Sequence, residues 1–470
     1  MSKKISSFFG AKDMTAGSPA SCLIQFSVPL LIGNLAQQLY NTVDSIVVGK
    51  YVGDGALAAV GASGPLLNLL LVLFVGVSTG AGIMVSQYFG AKDQKLLSKT
   101  VGNAITLTLA AGLFMTVAGI LTTRWFMAFL DTPADIYEMS CSYLTILFLG
   151  MVGCAYYNIL SGILRGLGDS VMPLVFLLVA CGLNIVLDLL FVAVFRMGVA
   201  GVAWATIIAQ SISAVLCIVR LLRMTDVLRV TKETLKPDGA LCKRLVMLGL
   251  PSGGTQAIFS MAALIVQSLT NSFGTTVIAC NTVVMRVDGF AMMPNFSFGM
   301  AMTTFVGQNV GAGKMDRVVK GTKDGLKIGL GVSAVLVALI LIFGRPLMHM
   351  FTSTQEVIDL SMKMMRVLSV GYIAMAVTQI LSGTMRGAGD TMTPMWISII
   401  TTIIVRMPLA YLLAFLTRSE AAPVGDPIAL FLSLLISWVI GATLTFLLYL
   451  RGGWKRKAMS VFPASANGGN

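Results

Sequence analysis

Charge is what this sequence has least of. Only 11% of its 470 residues are Asp, Glu, Lys or Arg, against roughly 25% in an ordinary soluble domain. A chain this long cannot clothe a water-facing surface with so few charges. Histidine occurs once, at His349, and there is neither a His-Glu-x-x-His helix nor a glycine-rich phosphate loop ending in Lys-Ser/Thr. Those absences leave a zinc hydrolase or an ATP-driven pump within this chain without support. The seven cysteines (Cys22, Cys141, Cys154, Cys181, Cys217, Cys242 and Cys280) are odd in number, and no pair has metal-ligand spacing. They read as free, buried thiols acting as small hydrophobes. His349 reads as an exposed loop histidine.

What is abundant is apolar: 56% of residues, with 48 glycines. In lipid, glycine lets helix backbones approach closely. Apolar stretches long enough to cross a ~30 Å hydrocarbon core fall near residues 20–45, 57–85, 100–121, 138–160, 170–192, 199–222, 245–271, 277–305, 325–344, 365–383, 393–416 and 428–450. The spacing predicts an all-α polytopic membrane protein of twelve transmembrane helices. The first span has no basic segment followed by a small-residue cleavage site, so it reads as retained.

The net charge of +13 is explained by where the basic residues lie. With the N-terminus in the cytoplasm, 24 Lys and Arg fall in inner loops and tails and 5 in outer loops. That excess is a positive-inside signal, not a nucleic-acid surface. Both termini are expected in the cytoplasm of a bacterial cell, with the chain in the inner membrane. The outer loop holding Asp131, Asp135 and Glu138 is acidic, which fits.

The chain repeats itself. Leu160-Ser-Gly-Ile-Leu-Arg-Gly-Leu-Gly-Asp-Ser-Val-Met-Pro173 returns as Leu381-Ser-Gly-Thr-Met-Arg-Gly-Ala-Gly-Asp-Thr-Met-Thr-Pro394, identical at eight of fourteen positions. Gln87, Gly90 and Ala91 return as Gln308, Gly311 and Ala312 at the same offset of 221, and Pro29 returns as Pro251. The expected organisation is a cytoplasmic tail (1–18), an N-lobe of six helices (19–222), a cytoplasmic linker (223–244), a C-lobe of six helices (245–450) and a cytoplasmic tail (451–470). Six is even, so the copies are parallel repeats about an axis along the membrane normal. Two such lobes leave a central cleft that can open to either side.

A charge at mid-bilayer costs roughly 2.5–3.5 kcal/mol on insertion scales, so those within spans are candidates for function: Asp44, Asp188, Asp288, Arg286 and Arg406. Gln37, Asn41 and Asp44 share one face of the first span, and Tyr40 lies one turn before Asp44. Pro29 should kink that helix. Asn184 and Asp188 are one turn apart in the fifth span, as are Thr206 and Gln210 in the sixth. These oxygen ligands suit a hard monovalent cation or a shared proton; a purely structural polar contact between helices is the alternative. Arg286 and Asp288 are two residues apart and point away from each other, with a structural ion pair as the competing role for Arg286. Arg406 reads as structural. The Arg-Gly-x-Gly-Asp turns (Arg165 to Asp169, Arg386 to Asp390) read as tight cytoplasmic connections in which Arg and Asp cap helix ends. Met285, Met292, Met293, Met300 and Met302 cluster in the eighth span. Flexible thioethers there suit a pocket of many shapes, with lipid-facing filler as the alternative.

Together, Pro29 through Gly49, Gln87-Tyr-Phe-Gly-Ala91, the two Arg-Gly-x-Gly-Asp turns, Asn184-Ile-Val-Leu-Asp188 and Gly198-Val-Ala-Gly-Val-Ala-Trp-Ala-Thr206 resemble the multidrug and toxic compound extrusion (MATE) family over nearly the whole chain. The resemblance implies a V of two lobes and a secondary active exporter that antiports cationic amphiphilic drugs against protons or sodium. A lipid-linked-oligosaccharide flippase of the same superfamily is the alternative. It implies a cation-coupling site at Asp44, Asn184, Asp188 and Thr206, possessing the ligands for Na+ or a proton and needing no cofactor. Pro29, Gln37, Tyr40, Asn41, Gln256, Arg286 and Asp288 become candidates for the substrate cavity or its gating. Gln256 stands where the NorM-like branch carries an acid in the seventh span, so the chain looks closer to the DinF-like branch, coupled through the N-lobe. The implied partners are small cationic drugs and membrane lipid, with no nucleic acid, and a monomer suffices.

Overall fold

A chain in hydrocarbon must satisfy its backbone polar groups internally, which leaves the helix as the economical solution for a sequence of long apolar runs. The structure is a computed structural model describing residues 12–130, 132–420 and 423–461. Its elements are helices, with no strand among the described residues. Asp131, residues 1–11 and residues 462–470 of the tails lie outside those residues.

In chain order the helices are α1 (Pro19–Tyr51), α2 (Asp54–Gly90), α3 (Gln94–Phe129), α4 (Ala134–Leu149), α5 (Met151–Gly166), α6 (Val171–Asp188), α7 (Val199–Leu222), α8 (Gly239–Ser272), α9 (Thr275–Gly311), α10 (Met315–His349), α11 (Gln355–Gly387), α12 (Met392–Ser398), α13 (Met407–Leu416), α14 (Ile428–Arg451) and α15 (Gly453–Val461). Stretches of π-helix extend α6 (Leu189–Val194) and join α12 to α13 (Ile399–Arg406). Among the described residues, ten helical segments are long and apolar enough to cross a membrane, and the bent pair α4–α5 makes an eleventh span. Helix α2, 37 residues long, makes the twelfth.

Several expectations need adjusting. The fourth span is not one rod: α4 and α5 meet at 53°. The bend falls at Gly150, where a Cβ would lie 2.2 Å from Ile207 Cγ2, so only glycine lets the chain pass α7 this closely. Many helices outrun their apolar cores. At about 1.5 Å per residue, the 35-residue α10 is some 50 Å long, against a ~30 Å hydrocarbon core. Its basic first turns, expected as loop, are helical extensions of the span. His349 is the exposed last residue of α10, not a loop residue. Four of the seven free cysteines are only half-buried. Residues 453–461, expected as tail, form α15.

The chain divides into two compact units: Met1–Asp13 with Val28–Gly253, and Met14–Ser27 with Gly254–Asn470. The division therefore differs from the expected lobes at 19–222 and 245–450. It cuts α1 beside Pro29 and α8 beside Pro251, the prolines inside those helices. The reason is visible in hydrogen bonds at the start of each. In the second unit, Gln308 Oε1 accepts from the Met14 backbone N–H at 2.8 Å, Lys314 Nζ donates to Thr15 O at 2.9 Å, and Arg317 donates to the carbonyls of Met14, Ala16 and Gly17. In the first unit, Asn103 and Thr106 bind the backbone of residues 234–238, and Arg244 donates to Gln87 Oε1 and Tyr88 Oη. The segment ahead of each repeat is strapped to the other repeat's unit.

Left-handed turns recur with the repeat: Gly53 and Gly274, Lys92 and Gly313, Gly168 and Gly389, each pair 221 residues apart. Only one member, Lys92, carries a side chain, which shows that this turn tolerates one. Gly313→Ala should therefore be mild, within the roughly 1–2 kcal/mol cost of a left-handed residue, since nothing lies within 4 Å of the added Cβ. Gly168→Ala should cost distinctly more, because its Cβ would stand 2.2 Å from Lys12 O. Thermal unfolding of the two detergent-solubilised variants checks the ranking; equal shifts would contradict it.

Candidate functional site

Beyond Pro29, α1 carries Gln37, Tyr40 and Asp44 within two turns. Helix α6 delivers Asn184 and Asp188, both fully buried, one turn apart. Asp188 is the last α-helical residue before the π-stretch Leu189–Val194; such bulges widen the backbone and are frequent at functional sites. Helix α7 supplies Thr206, whose hydroxyl donates to Val202 O at 3.0 Å.

The structure brings these three helices together within the first unit. In the amide orientation that satisfies both neighbours, Asn184 Nδ2 donates to Asp188 Oδ2 at 3.0 Å and Asn184 Oδ1 accepts from the Thr206 backbone N–H at 3.3 Å. Asn184 is thus a bracket that fixes the Asp188 carboxylate to α7. The carboxyl groups of Asp44 and Asp188 face each other, and the Tyr40 hydroxyl meets Thr206. Asp188 Oδ1 is enclosed and has no protein hydrogen-bond donor. Its neighbouring carboxyl, that of Asp44, can donate only when it holds a proton. No lysine or arginine is among the described groups whose charge reaches the pair. Two carboxyl groups, an amide and two hydroxyls thus converge without a fixed cation. This donor set fits a proton or a small hard cation, and its five members come from three spans, the first, fifth and sixth.

Tyr143, buried on α4 and within electrostatic reach of both carboxylates, was missed. It belongs to the packed cluster of Val48, Ala56, Val192, Val199, Val202 and Ala203 that holds α1, α2, α4, α6 and α7 around the site. A lone tyrosine within an apolar run was the only sequence signal for it. Beside the pair lies a cavity of about 30 Å³ lined by Gln37, Tyr40, Tyr157, Leu177, Ala180, Cys181, Ala209, Gln210 and Ser213, space for about two waters. Gln37 and Tyr40, candidates for the substrate cavity, line this space together with Tyr157, Cys181 and Ser213, which the sequence reading did not single out. Asn41 is exposed and is not drawn into the cluster, and Pro29 sits eleven residues before Tyr40.

The remaining candidates lie in the second unit. Gln256 and Arg286 are exposed. Asp288 Oδ1 accepts a hydrogen bond from Tyr372 Oη at 2.9 Å. Among the described residues no three His, Cys, Asp or Glu side chains form a metal-holding group. The Arg-Gly-x-Gly-Asp aspartates are structural. Asp169 Oδ1 accepts from the Met172 N–H at 3.0 Å, capping α6, while its Oδ2 pairs with Arg220 at 3.2 Å. Asp390 caps α12 through Thr393 and pairs with Lys457 of α15 at 2.7 Å.

The chain matches the MatE family model twice, over residues 29–190 and 251–412. It is 30% identical over 444 residues to the probable multidrug resistance protein YoeA of Bacillus subtilis, covering 93% of this chain and 94% of that protein. This chain is a member of the MatE family. A probable multidrug resistance protein NorM of Thermotoga maritima is 24% identical over 445 residues, 93% of each chain. The crystal structure of a MATE protein in complex with MaL6 superposes with a TM-score of 0.87 at 23% identity, over 94% of this chain and 99% of that one, a likeness of fold. Both MatE segments open on a proline inside a continuous helix, Pro29 in α1 and Pro251 in α8. Asp44, Asn184 and Asp188 fall within the first segment of this MATE chain, and Thr206 lies beyond its end. Asp288, Tyr372 and Arg406 fall within the second.

Proposed function

We propose that this multi-pass membrane protein is a secondary active multidrug exporter of the bacterial inner membrane, with both termini cytoplasmic, that antiports cationic amphiphilic drugs against protons or Na+ by alternating access. The observation that carries the reading is the Asp44–Asp188 pair, Asp188 fully buried and Asp44 half-buried, with no fixed cation beside it. Two carboxylates confined in a medium of low dielectric demand positive charge. With none supplied by the protein, it has to come and go with the solvent, and that exchange is what coupling requires. Asn184 holds Asp188 in place, so Asp44 is the partner free to move, on a helix that carries Pro29 in its interior. A proton or Na+ arriving from outside closes the pair; its departure inward leaves the pair charged and open again. The membrane field adds about 2.3 kcal/mol per charge per 100 mV to drive each inward step. The curated relatives carry multidrug-resistance names, which favours the exporter over the lipid-linked-sugar flippase. One chain holds the whole coupling site, so a monomer suffices.

The test is efflux of ethidium from energised cells expressing the chain, against cells that do not. Expression should speed efflux several-fold, and a protonophore, or replacement of external Na+ by K+, should remove the difference. No difference across a panel of cationic dyes would sink the proposal.

A further inference from the structure

The two repeats answer the same aspartate differently. In the first, Asp169 pairs with Arg220 of α7. In the second, the residue 221 positions after Arg220 is Gly441, which has no charge to offer Asp390. The cation comes instead from beyond the repeat: Lys457 of α15 donates to Asp390 Oδ1 at 2.7 Å. Further contacts fix α15. Gly452, in the left-handed region at φ 74°, turns the chain at the end of α14. Trp454 is buried, donates from Nε1 to Tyr449 O at 3.0 Å and stacks on the Tyr449 ring at 5.3 Å. Ala458 is buried one turn later. A helix of nine residues does not hold itself together in water. Packing holds this one, and packing therefore decides which face it shows.

That face is basic. Trp454, Lys457 and Ala458, spaced i, i+3, i+4, share the side that meets the second unit. Lys455, Arg456 and Met459 are left exposed, with the Lys455 ammonium 5.7 Å from the Trp454 ring. Among the described residues neither Lys455 nor Arg456 makes an ion pair. No Asp or Glu follows Asp426 in the chain, so nothing on this segment neutralises them. Depth supplies the partner. The 24 residues of α14 rise about 36 Å, enough to cross a ~30 Å hydrocarbon core, and α15 begins one residue after the span ends. It therefore starts at the level of the lipid headgroups, where exposed cations meet anionic phosphate.

We propose that α15 is a docking helix for anionic phospholipid, with Lys455 and Arg456 taking the headgroup phosphate. The membrane is the partner that this helix meets by construction, since the span before it is embedded there. The proposal goes beyond transport and stands whether or not the chain exports drugs.

The test is native mass spectrometry of the full-length protein in detergent, titrated with phosphatidylglycerol or phosphatidylcholine. The wild type should bind phosphatidylglycerol at least tenfold more tightly. Lys455→Gln with Arg456→Gln should weaken that binding about 25-fold, roughly five-fold per charge removed. Lys232→Gln with Lys236→Gln, which removes two exposed charges from the stretch between the repeats, should leave it unchanged. All four side chains are exposed, so unfolding temperatures should match the wild type. Equal weakening by both pairs, or none by the α15 pair, would overturn the proposal. Equal affinity of the wild type for the two lipids would also overturn it and leave the face to a soluble acidic partner. So would displacement of the lipid by an equal concentration of glycerol phosphate, which would make this a site for free phosphate.

Discussion

Asp188→Asn should abolish ion-driven dye efflux at equal expression and leave the folded protein at least as stable as the wild type. The substitution is nearly isosteric. Its carboxamide oxygen can still accept from Asn184 Nδ2, the bond that brackets α6 to α7 at 3.0 Å. Its new N–H offers Asp44 a donor where the wild type offers an acceptor. What goes is one negative charge and, with it, the need for a visiting cation. A charge-assisted contact is worth roughly 1.5–3 kcal/mol, so ion affinity should fall roughly 10- to 100-fold, and the residual site should be closed by a permanent amide–carboxylate bond. Stability moves the other way, because two uncompensated carboxyl groups in the interior are a cost that the amide relieves. Efflux rate and thermal unfolding temperature, measured on the same preparations, separate the alternatives. Lost efflux with an unchanged or higher unfolding temperature is the expected pair of results. Lost efflux with a fall of many degrees would make Asp188 a packing residue, and undiminished efflux would remove it from the coupling site.

How much of this was legible in the sequence depended on the range of the interaction. Within a helix, spacing suffices: Asn184 and Asp188 were assigned to one face from their four-residue separation alone, and the structure has them hydrogen-bonded. Between helices, spacing says nothing. That Asp44 meets Asp188, that Tyr40 meets Thr206 and that Tyr143 and Tyr157 approach from α4 and α5 depend on tertiary packing, and each tyrosine is individually unremarkable in an apolar run. Hydropathy also measured the wrong length. It reports where a helix is apolar, not where it ends, so the basic starts of α3 and α10 read as loops although they continue their helices into the aqueous phase. The strapped segments at Met14–Gly17 and residues 234–238 were invisible for a third reason. Their partners, Arg317, Lys314, Asn103 and Thr106, bind backbone carbonyls and amides, which carry no sequence signature.

The other large effect concerns packing. Gly249→Val should leave little folded protein, while Gly61→Ala and Gly64→Ala on the facing helix should be neutral or better. Within the first unit, α2 and α8 meet through Gly76-Val-Ser-Thr-Gly80 and Gly249-Leu-Pro-Ser-Gly253, a pair of small-xxx-small stretches whose backbones touch. A Cβ at Gly76 would lie 2.7 Å from Gly249 O, one at Gly80 2.6 Å from Leu245 O, one at Gly249 2.8 Å from Val77 Cα, and one at Gly253 2.9 Å from Val72 O. Every obstacle is backbone, which cannot swing aside as a side chain can, so the helices must part. Overpacking of this kind costs roughly 1–3 kcal/mol and sometimes more, and a β-branched residue stands at the severe end. Gly61 and Gly64 have nothing within 4 Å of an added Cβ, and alanine there gains about 0.5–1 kcal/mol of helix preference. A double substitution sharpens the point. Once Gly76→Ala has forced the helices apart, the room opened should accommodate a second methyl, so Gly76→Ala with Gly253→Ala should cost clearly less than the sum of the two. Unfolding temperatures of the singles and the double measure that coupling. Additive costs would mean that the two glycines yield independently and that α2 and α8 are not joined by one rigid contact. Sub-additive costs would mean that α8 on either side of Pro251 moves with α2 as a single body.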